Sequence, residues 1–290
     1  MILQTLALLV LAADPSASAA WGDLSASDIW DQGVAEVALY DARGKMEGSE
    51  RQFEAVTVVV KEAFDLDQMV KAGPASKRVE DVLKLNHELT VPTGTYTYRQ
   101  MASVFLRRTD LGAVKLSVAS QELCGMTTKR WRSDAPRRFH TSSYFDGEGD
   151  RDFTLEFAPG TVFYDALPLW LRAQAPRAEP LAVMLVPGQI ASHAADPAPA
   201  RAVIAWGASE TVTTSAANFR AREVTVEHQL GRDRFLIEED FPHILVRWER
   251  ADGTVYALKN LVRLPYWKYT RPGDRKLLEE PNPVGSQAKP

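Results

Sequence analysis

Cysteine is nearly absent: one residue in 290, Cys124, permits no internal disulfide, which excludes a disulfide scaffold and leaves redox compartment unread. Basic charge is not in excess either. Thirty-four Lys and Arg face 38 Asp and Glu, a net charge of -4 that supplies no field for nucleic acid or an anionic membrane. Glycine and proline, 17 each, are too few for a collagen-like or low-complexity chain, and the composition also excludes a coiled coil. No apolar run reaches the roughly 20 residues of a membrane-spanning helix. Zinc-ligand spacing, a Gly-x-Ser-x-Gly elbow, a phosphate loop and a Rossmann fingerprint are missing, so no metal and no cofactor are expected. The run Asp146-Gly147-Glu148-Gly149-Asp150 opens like a calcium loop, but Arg151 and Phe157 stand where that loop needs Gly and Glu.

What is present begins at the N-terminus. Residues 2–13 are apolar apart from Gln4 and Thr5, Asp14-Pro15 breaks the run, and Ala17-Ser18-Ala19 supplies small residues for signal peptidase. The pattern predicts a signal peptide over residues 1–19 and a periplasmic or secreted protein. No Cys follows the run, which excludes a lipid anchor. The remainder is expected to be a single β-rich domain over 20–271 with a flexible tail over 272–290, where Pro, Gly, Lys, Glu and Ser dominate.

Beyond the leader the chain alternates apolar and polar residues, rich in Val, Thr, Tyr and Phe. Strands are predicted over 34–40, 53–61, 82–89, 95–108, 113–124, 126–131, 138–145 and 152–157. Later ones fall at 181–186, 202–206, 210–215, 220–230, 234–239, 243–250 and 254–262. So many closely spaced strands predict an all-β, mainly antiparallel fold: a large curved sheet, half-barrel or sandwich. One short helical turn is expected over 25–32, capped by Ser25 or Ser27. A second helix is expected over 164–174, where Phe163, Leu167, Trp170 and Leu171 share one stripe and Pro168 lies in the first turn. Residues 187–201 read as the main internal loop. The basic run Lys129, Arg130, Arg132, Arg137, Arg138 and the acidic residues from Asp146 to Asp152 are expected to neutralise each other on neighbouring strands or in solvent.

Spaced blocks carry a resemblance. Val82-Leu83-Lys84-Leu85-Asn86, Gly94-Thr95-Tyr96-Thr97-Tyr98, Ser120-Gln121-Glu122-Leu123-Cys124-Gly125, Tyr144-Phe145-Asp146-Gly147-Glu148 and Tyr266-Trp267 resemble a family of exported bacterial proteins of no established activity. The resemblance spans roughly residues 30–270 and implies export and a mostly β fold. Members often carry the label "septum formation inhibitor Maf", which this sequence does not support. True Maf proteins are cytosolic α/β nucleotide pyrophosphatases with Ser-x-Ser-x-x-Arg after the first strand. Here Ser133-Asp134-Ala135-Pro136-Arg137-Arg138 lies in mid-chain and lacks the second serine. Leu123 and Met126 also depart from the family pattern, which has Trp and a polar residue there.

The candidate site rests on a hairpin. A turn at 109–112 sets Leu106 opposite Val114, Val104 opposite Leu116 and Ala102 opposite Val118, all on one apolar face. The same face continues as Gln100 with Ser120, Tyr98 with Glu122, and Tyr96 with Cys124. An inward Glu122 without a partner costs several kcal/mol, so a polar mouth on an apolar cavity is expected. Cys124 is expected as small core packing: none of His87, His140, His193, His228 and His243 has a diagnostic spacing to it, and Glu122 disfavours its thiolate. Two functions follow. One is an exported binding or structural protein holding a hydrophobic small molecule or cell-envelope component in a β cavity, an acyl chain by fold analogy. The other is an exported hydrolase-like enzyme with Glu122 as general acid/base beside Tyr96 or Tyr98.

Overall fold

The alternating sequence becomes strand over most of its length: 54% of the described residues are in strands and 9% in helices, inverting the usual helix-first balance. The computed structural model describes residues 21, 24–46 and 48–280, so the leader over 1–19 and the end of the tail lie outside the described residues. The first strands are β1 (Ala35–Met46), β2 (Ser49–Asp65), β3 (Val70–Lys71), β4 (Val79–Pro92), β5 (Thr97–Arg107) and β6 (Ala113–Gln121). Next come β7 (Met126–Arg132), β8 (Arg138–Ser143), β9 (Gly149–Thr154), β10 (Val162–Phe163) and β11 (Leu181–Val186). The last are β12 (Ala200–Thr213), β13 (Asn218–His228), β14 (Gly231–Glu238), β15 (Leu245–Glu249) and β16 (Val255–Leu264).

All sixteen strands belong to one sheet in the order β10-β11-β12-β13-β14-β15-β16-β1-β2-β4-β5-β6-β7-β8-β9, with β3 hanging on β2. Every pairing is antiparallel except β10 with β11. Strands β16, β1 and β2 separate β15 from β4, yet the His87 ring of β4 lies 5.6 Å from Trp248 of β15. The sheet is therefore strongly curled, and its edges β9 and β10 are not paired with each other.

β1 shows how the sequence selects its place. Its first six residues are all buried. Ala38, Tyr40 and Ala42 enter the interior, whereas Ala35 and Val37 face a small outer cluster with Val262, Tyr266 and Leu278. A strand covered on both faces loses the polar half of its alternation. The cover comes from a 3-10 turn, Asp274–Leu278, inside the segment expected as a tail. Asn260 Nδ2 donates to the Leu278 and Glu280 carbonyls (2.7 and 2.9 Å) and Arg275 pairs with Glu54.

The expected helix forms as a 3-10 turn Tyr164–Ala166, the α-helix α1 (Leu167–Trp170) and a 3-10 turn Leu171–Ala173, with Pro168 in the first turn of α1. It is not amphipathic, as the single stripe implied. Leu167 and Leu171 pack with β11–β16, while Phe163, Ala166 and Leu169 pack with β4–β7. The segment fills the curl of the sheet and meets apolar residues on both sides. Arg172 fastens its end: a bidentate pair with buried Glu36 (2.6 and 3.0 Å) and a bond to the His243 carbonyl (2.8 Å). The N-terminal turn is 3-10, Asp28–Asp31, capped by Ser27.

Three differences from expectation bear on the site. The predicted strands over 202–206 and 210–215 are one strand, β12, whose register shifts between Trp206 and Ser209. Another bulge, between Phe105 and Leu106, places Leu106 opposite Ala113 rather than Val114. Val114 then packs with Phe64, Met69 and Val82 in a separate cluster. Val104 opposite Leu116 and Ala102 opposite Val118 are as the alternation implies. Finally, β6 stops at Gln121, where the chain reverses into β7.

Candidate functional site

The residues singled out from sequence divide into three groups. Gln100 and Ser120 are paired, buried and inward. They do not border open space. Ser192, from the 187–199 loop between β11 and β12, lies 2.9 Å from Gln100 Nε2 and 3.0 Å from the Ser120 hydroxyl. Tyr96 and Tyr98 bring their hydroxyls within 3.2 Å of each other against the β11–β16 core. Glu122 and Cys124 lie beyond the end of the ladder. With β6 ended, the Glu122 N–H donates to the Gly125 carbonyl (3.1 Å) in a tight turn, so neither Tyr98–Glu122 nor Tyr96–Cys124 is a cross-strand pair. Glu122 is half-buried, with Oε2 unpartnered among the described residues. Cys124 is exposed, not core, because the turn lifts it from the sheet.

The loop that covers this face is held by charge. Lys129, expected to be neutralised by the acidic run on a neighbouring strand or in solvent, is buried, and its Nζ donates to the carbonyls of Gln189 (2.6 Å), Ala191 (3.2 Å) and His193 (2.7 Å). Burial pushes Lys129 down to about 8, against the charges of Asp165 and Glu148. Asp165, raised by burial, accepts the Gln189 and Ile190 N–H groups (2.9 and 3.3 Å). Glu148, from the failed calcium loop, accepts from Ser143 (2.5 Å) and the Ala194 N–H (2.9 Å) and pairs with His193 (2.8 Å). The protein itself thus supplies what fills the polar end of the β5–β8 face.

A different recess stays open at the rim of the other half. It encloses about 290 Å³ between the β13–β14 turn, the β15–β16 turn, the end of β11 and Tyr164. That volume is at the lower limit of small-molecule sites, about 300 Å³. The β13–β14 turn is tight: His228 pairs with Gly231, leaving Gln229 and Leu230 at the tip. Gly231 has φ +126°, and a Cβ there would sit 2.8 Å from Ala251 Cβ, so only glycine lets the two turns approach. Gly188 is equally constrained, since a Cβ would lie 2.8 Å from the Tyr164 ring.

The inner wall is polar. Asp233 is buried and accepts two hydrogen bonds, from the Tyr164 hydroxyl on Oδ2 and from the Ala251 N–H on Oδ1 (2.8 Å), with His228 Nε2 3.2 Å from Oδ1. Burial alone would raise Asp233, but the donors from His228, Tyr164 and Ala251 outweigh it and hold the carboxyl below the usual range. His228 Nδ1 accepts the Leu230 N–H (3.3 Å), which puts the proton of the neutral ring on Nε2, beside Asp233. Arg250 lies over the Tyr164 ring, 5.5 Å from its centroid, reaches the Tyr256 hydroxyl and has Asp252 Oδ2 at 3.3 Å. The outer wall is apolar: Leu185, Pro187, Ala200 and the exposed Leu230.

None of these four polar residues stands out in the sequence. They are spread from 164 to 250 with no repeated spacing. One signal was available: Asp233 shares the inward parity of Phe235 and Ile237 on β14, and Arg250 continues that of Val246 and Trp248. A charged residue in phase with buried neighbours marks a partnered interior site.

No family model matches the chain and no curated protein matches it. The fold is similar to that in the crystal structure of a beta-barrel-like protein of the domain of unknown function DUF1849 from Brucella abortus. The identity is 14% and the TM-score 0.45, over 79% of this chain and 98% of that one. Among the described residues no helix is long and apolar enough to cross a membrane, and no group of His, Cys, Asp and Glu is arranged to hold a metal ion.

Proposed function

We propose that the chain is an exported binding protein that holds a small, partly apolar molecule in the rim recess. One observation carries this reading. Tyr164, His228, Asp233 and Arg250 converge on the inner wall of a 290 Å³ recess whose outer wall is aliphatic. Small-molecule sites have this composition, a few fixed polar groups within an apolar lining. The apolar leader over 2–13 and the resemblance to exported proteins support delivery to the cell envelope.

The test uses two eight-carbon probes of equal chain length, 1-octanol and octanoate, followed by methyl resonances of Leu185 and Leu230. Binding of either probe, abolished when Leu230→Trp fills the mouth, supports the reading. Absence of saturable shifts with both probes overturns it. Export is tested separately: N-terminal sequencing of the native protein should begin near Trp21, and an intact Met1 in the cytosol would refute export.

A further inference from the structure

Hydrogen-bonding capacity inside the recess is unevenly spent. Tyr164 gives its hydroxyl proton to Asp233, which also accepts the Ala251 N–H. His228 uses Nδ1 on Leu230 and turns Nε2 towards Asp233. Asp252 Oδ1 accepts the Thr254 N–H (2.8 Å). Arg250 differs. A guanidinium offers five N–H donors, and its contacts here are a ring face, a phenol and a carboxylate whose side chain is half-exposed. The Tyr164 face fixes the plane of the guanidinium without using its N–H groups. Arg250 lines the recess, next to Leu185, Pro187 and Leu230, with N–H groups that these contacts leave unspent.

From this geometry we infer that the ligand is a short-chain carboxylic acid: its carboxylate docks on Arg250 and its aliphatic chain lies along Leu185, Pro187 and Leu230. This rests on the rim recess being the binding site. A carboxylate matches the paired N–H groups of a guanidinium edge, which a hydroxyl does not. Asp233 repels it little, because its charge is met by the Tyr164 hydroxyl and the Ala251 N–H, with His228 Nε2 at 3.2 Å. Asp252 occupies the water-facing side of Arg250 and is the group the ligand displaces. The small volume excludes long acyl chains.

The experiment compares dissociation constants of octanoate and 1-octanol, read on the Leu185 and Leu230 methyls, in wild type, Arg250→Gln and Asp252→Asn. In wild type octanoate should bind about ten- to hundredfold tighter than octanol, the ratio set by a charge-assisted bond. Arg250→Gln should reduce that ratio to near one while octanol binding persists. Asp252→Asn, a change at an exposed side chain, should tighten octanoate severalfold and leave octanol unmoved. It keeps the test decisive if Arg250→Gln does not fold. Equal binding of the two probes in wild type, or an octanoate affinity unchanged in Asp252→Asn, overturns the carboxylate assignment while leaving the binding reading intact. Failure of both probes removes that reading as well.

Discussion

Two cations sit inside the same sheet under opposite circumstances. Lys129, on the β5–β8 side, is enclosed by three carbonyls of the 187–199 loop. Arg250, on the β13–β16 side, borders open space and touches no carbonyl of that loop. A single stretch of chain makes the difference. Pro187 and Gly188 line the open recess, and from Gln189 onward the loop crosses into the other half. Two consecutive residues of the helical segment divide the work: Tyr164 bonds Asp233 in the recess, whereas Asp165 holds the N–H groups of Gln189 and Ile190. A polar patch inside a β fold therefore becomes a site only where the chain's own loop fails to cover it.

The hardest test of that contrast is Lys129→Met. It strips a buried charged donor from three carbonyls, that of Gln189 fully buried, and should cost about 4 kcal/mol in denaturant unfolding. Arg250→Met, at the open end, should cost about 1–2 kcal/mol, since its ion pair is with the half-exposed Asp252. Equal losses at the two positions would erase the distinction between a filled and an open half.

Between the halves lies His87, packed against Trp248 and Tyr256. Burial, reinforced by the Arg250 charge, depresses it to about 3 from 6.5. The unfolded chain takes up this proton below pH 6.5 while the folded chain refuses it until about 3, so stability is lost as pH falls through that window. Through this group alone the loss is about 2 kcal/mol at pH 5 relative to neutral pH. His87→Phe should flatten the acid limb of a stability–pH curve, and an unchanged limb would contradict a neutral buried ring.

How far the sequence foretold this contrast depends on the range of the interaction. The pairs Val104–Leu116, Ala102–Val118 and Gln100–Ser120 follow from alternation about a nearby turn. So does the placing of Pro168 at the helix start. Extending the same alternation to Glu122 and Cys124 failed because β6 ends at Gln121, and no residue pattern announces where a ladder stops. The cover over Gln100 comes from Ser192, 92 residues away, and composition marks that loop only as a loop. The strand expected over 234–239 leaves out Asp233, charged residues being poor strand formers. Its buried carboxylate, bonded by Tyr164 and Ala251, shows that parity is the better guide.

Gly231→Ala separates shape from charge at the open end. Its added Cβ would meet Ala251 Cβ at 2.8 Å in a backbone with φ +126°. A loss of about 1.5 kcal/mol is expected. The two turns move apart, so octanol and octanoate should weaken together. Weakening of octanoate alone would mean that the turns do not shape the recess.

The smallest effects sharpen the comparison most. Ser192→Ala removes a hydroxyl that bonds both Gln100 and Ser120 within the covered half. Gln100 keeps only its longer contact to Ser120 at 3.3 Å, so a loss of about 1 kcal/mol follows from one buried bond left unmade. Leu230→Ala at the rim removes an aliphatic group that is 69% exposed and should stay within about 0.5 kcal/mol of wild type. The two changes should then exchange places in binding: Ser192→Ala leaves octanol affinity alone, whereas Leu230→Ala weakens it by taking away part of the outer wall. Stability that tracks Leu230 and binding that tracks Ser192 would place the site on the β5–β8 face instead, where the loop would have to lift away from Lys129 to admit a ligand.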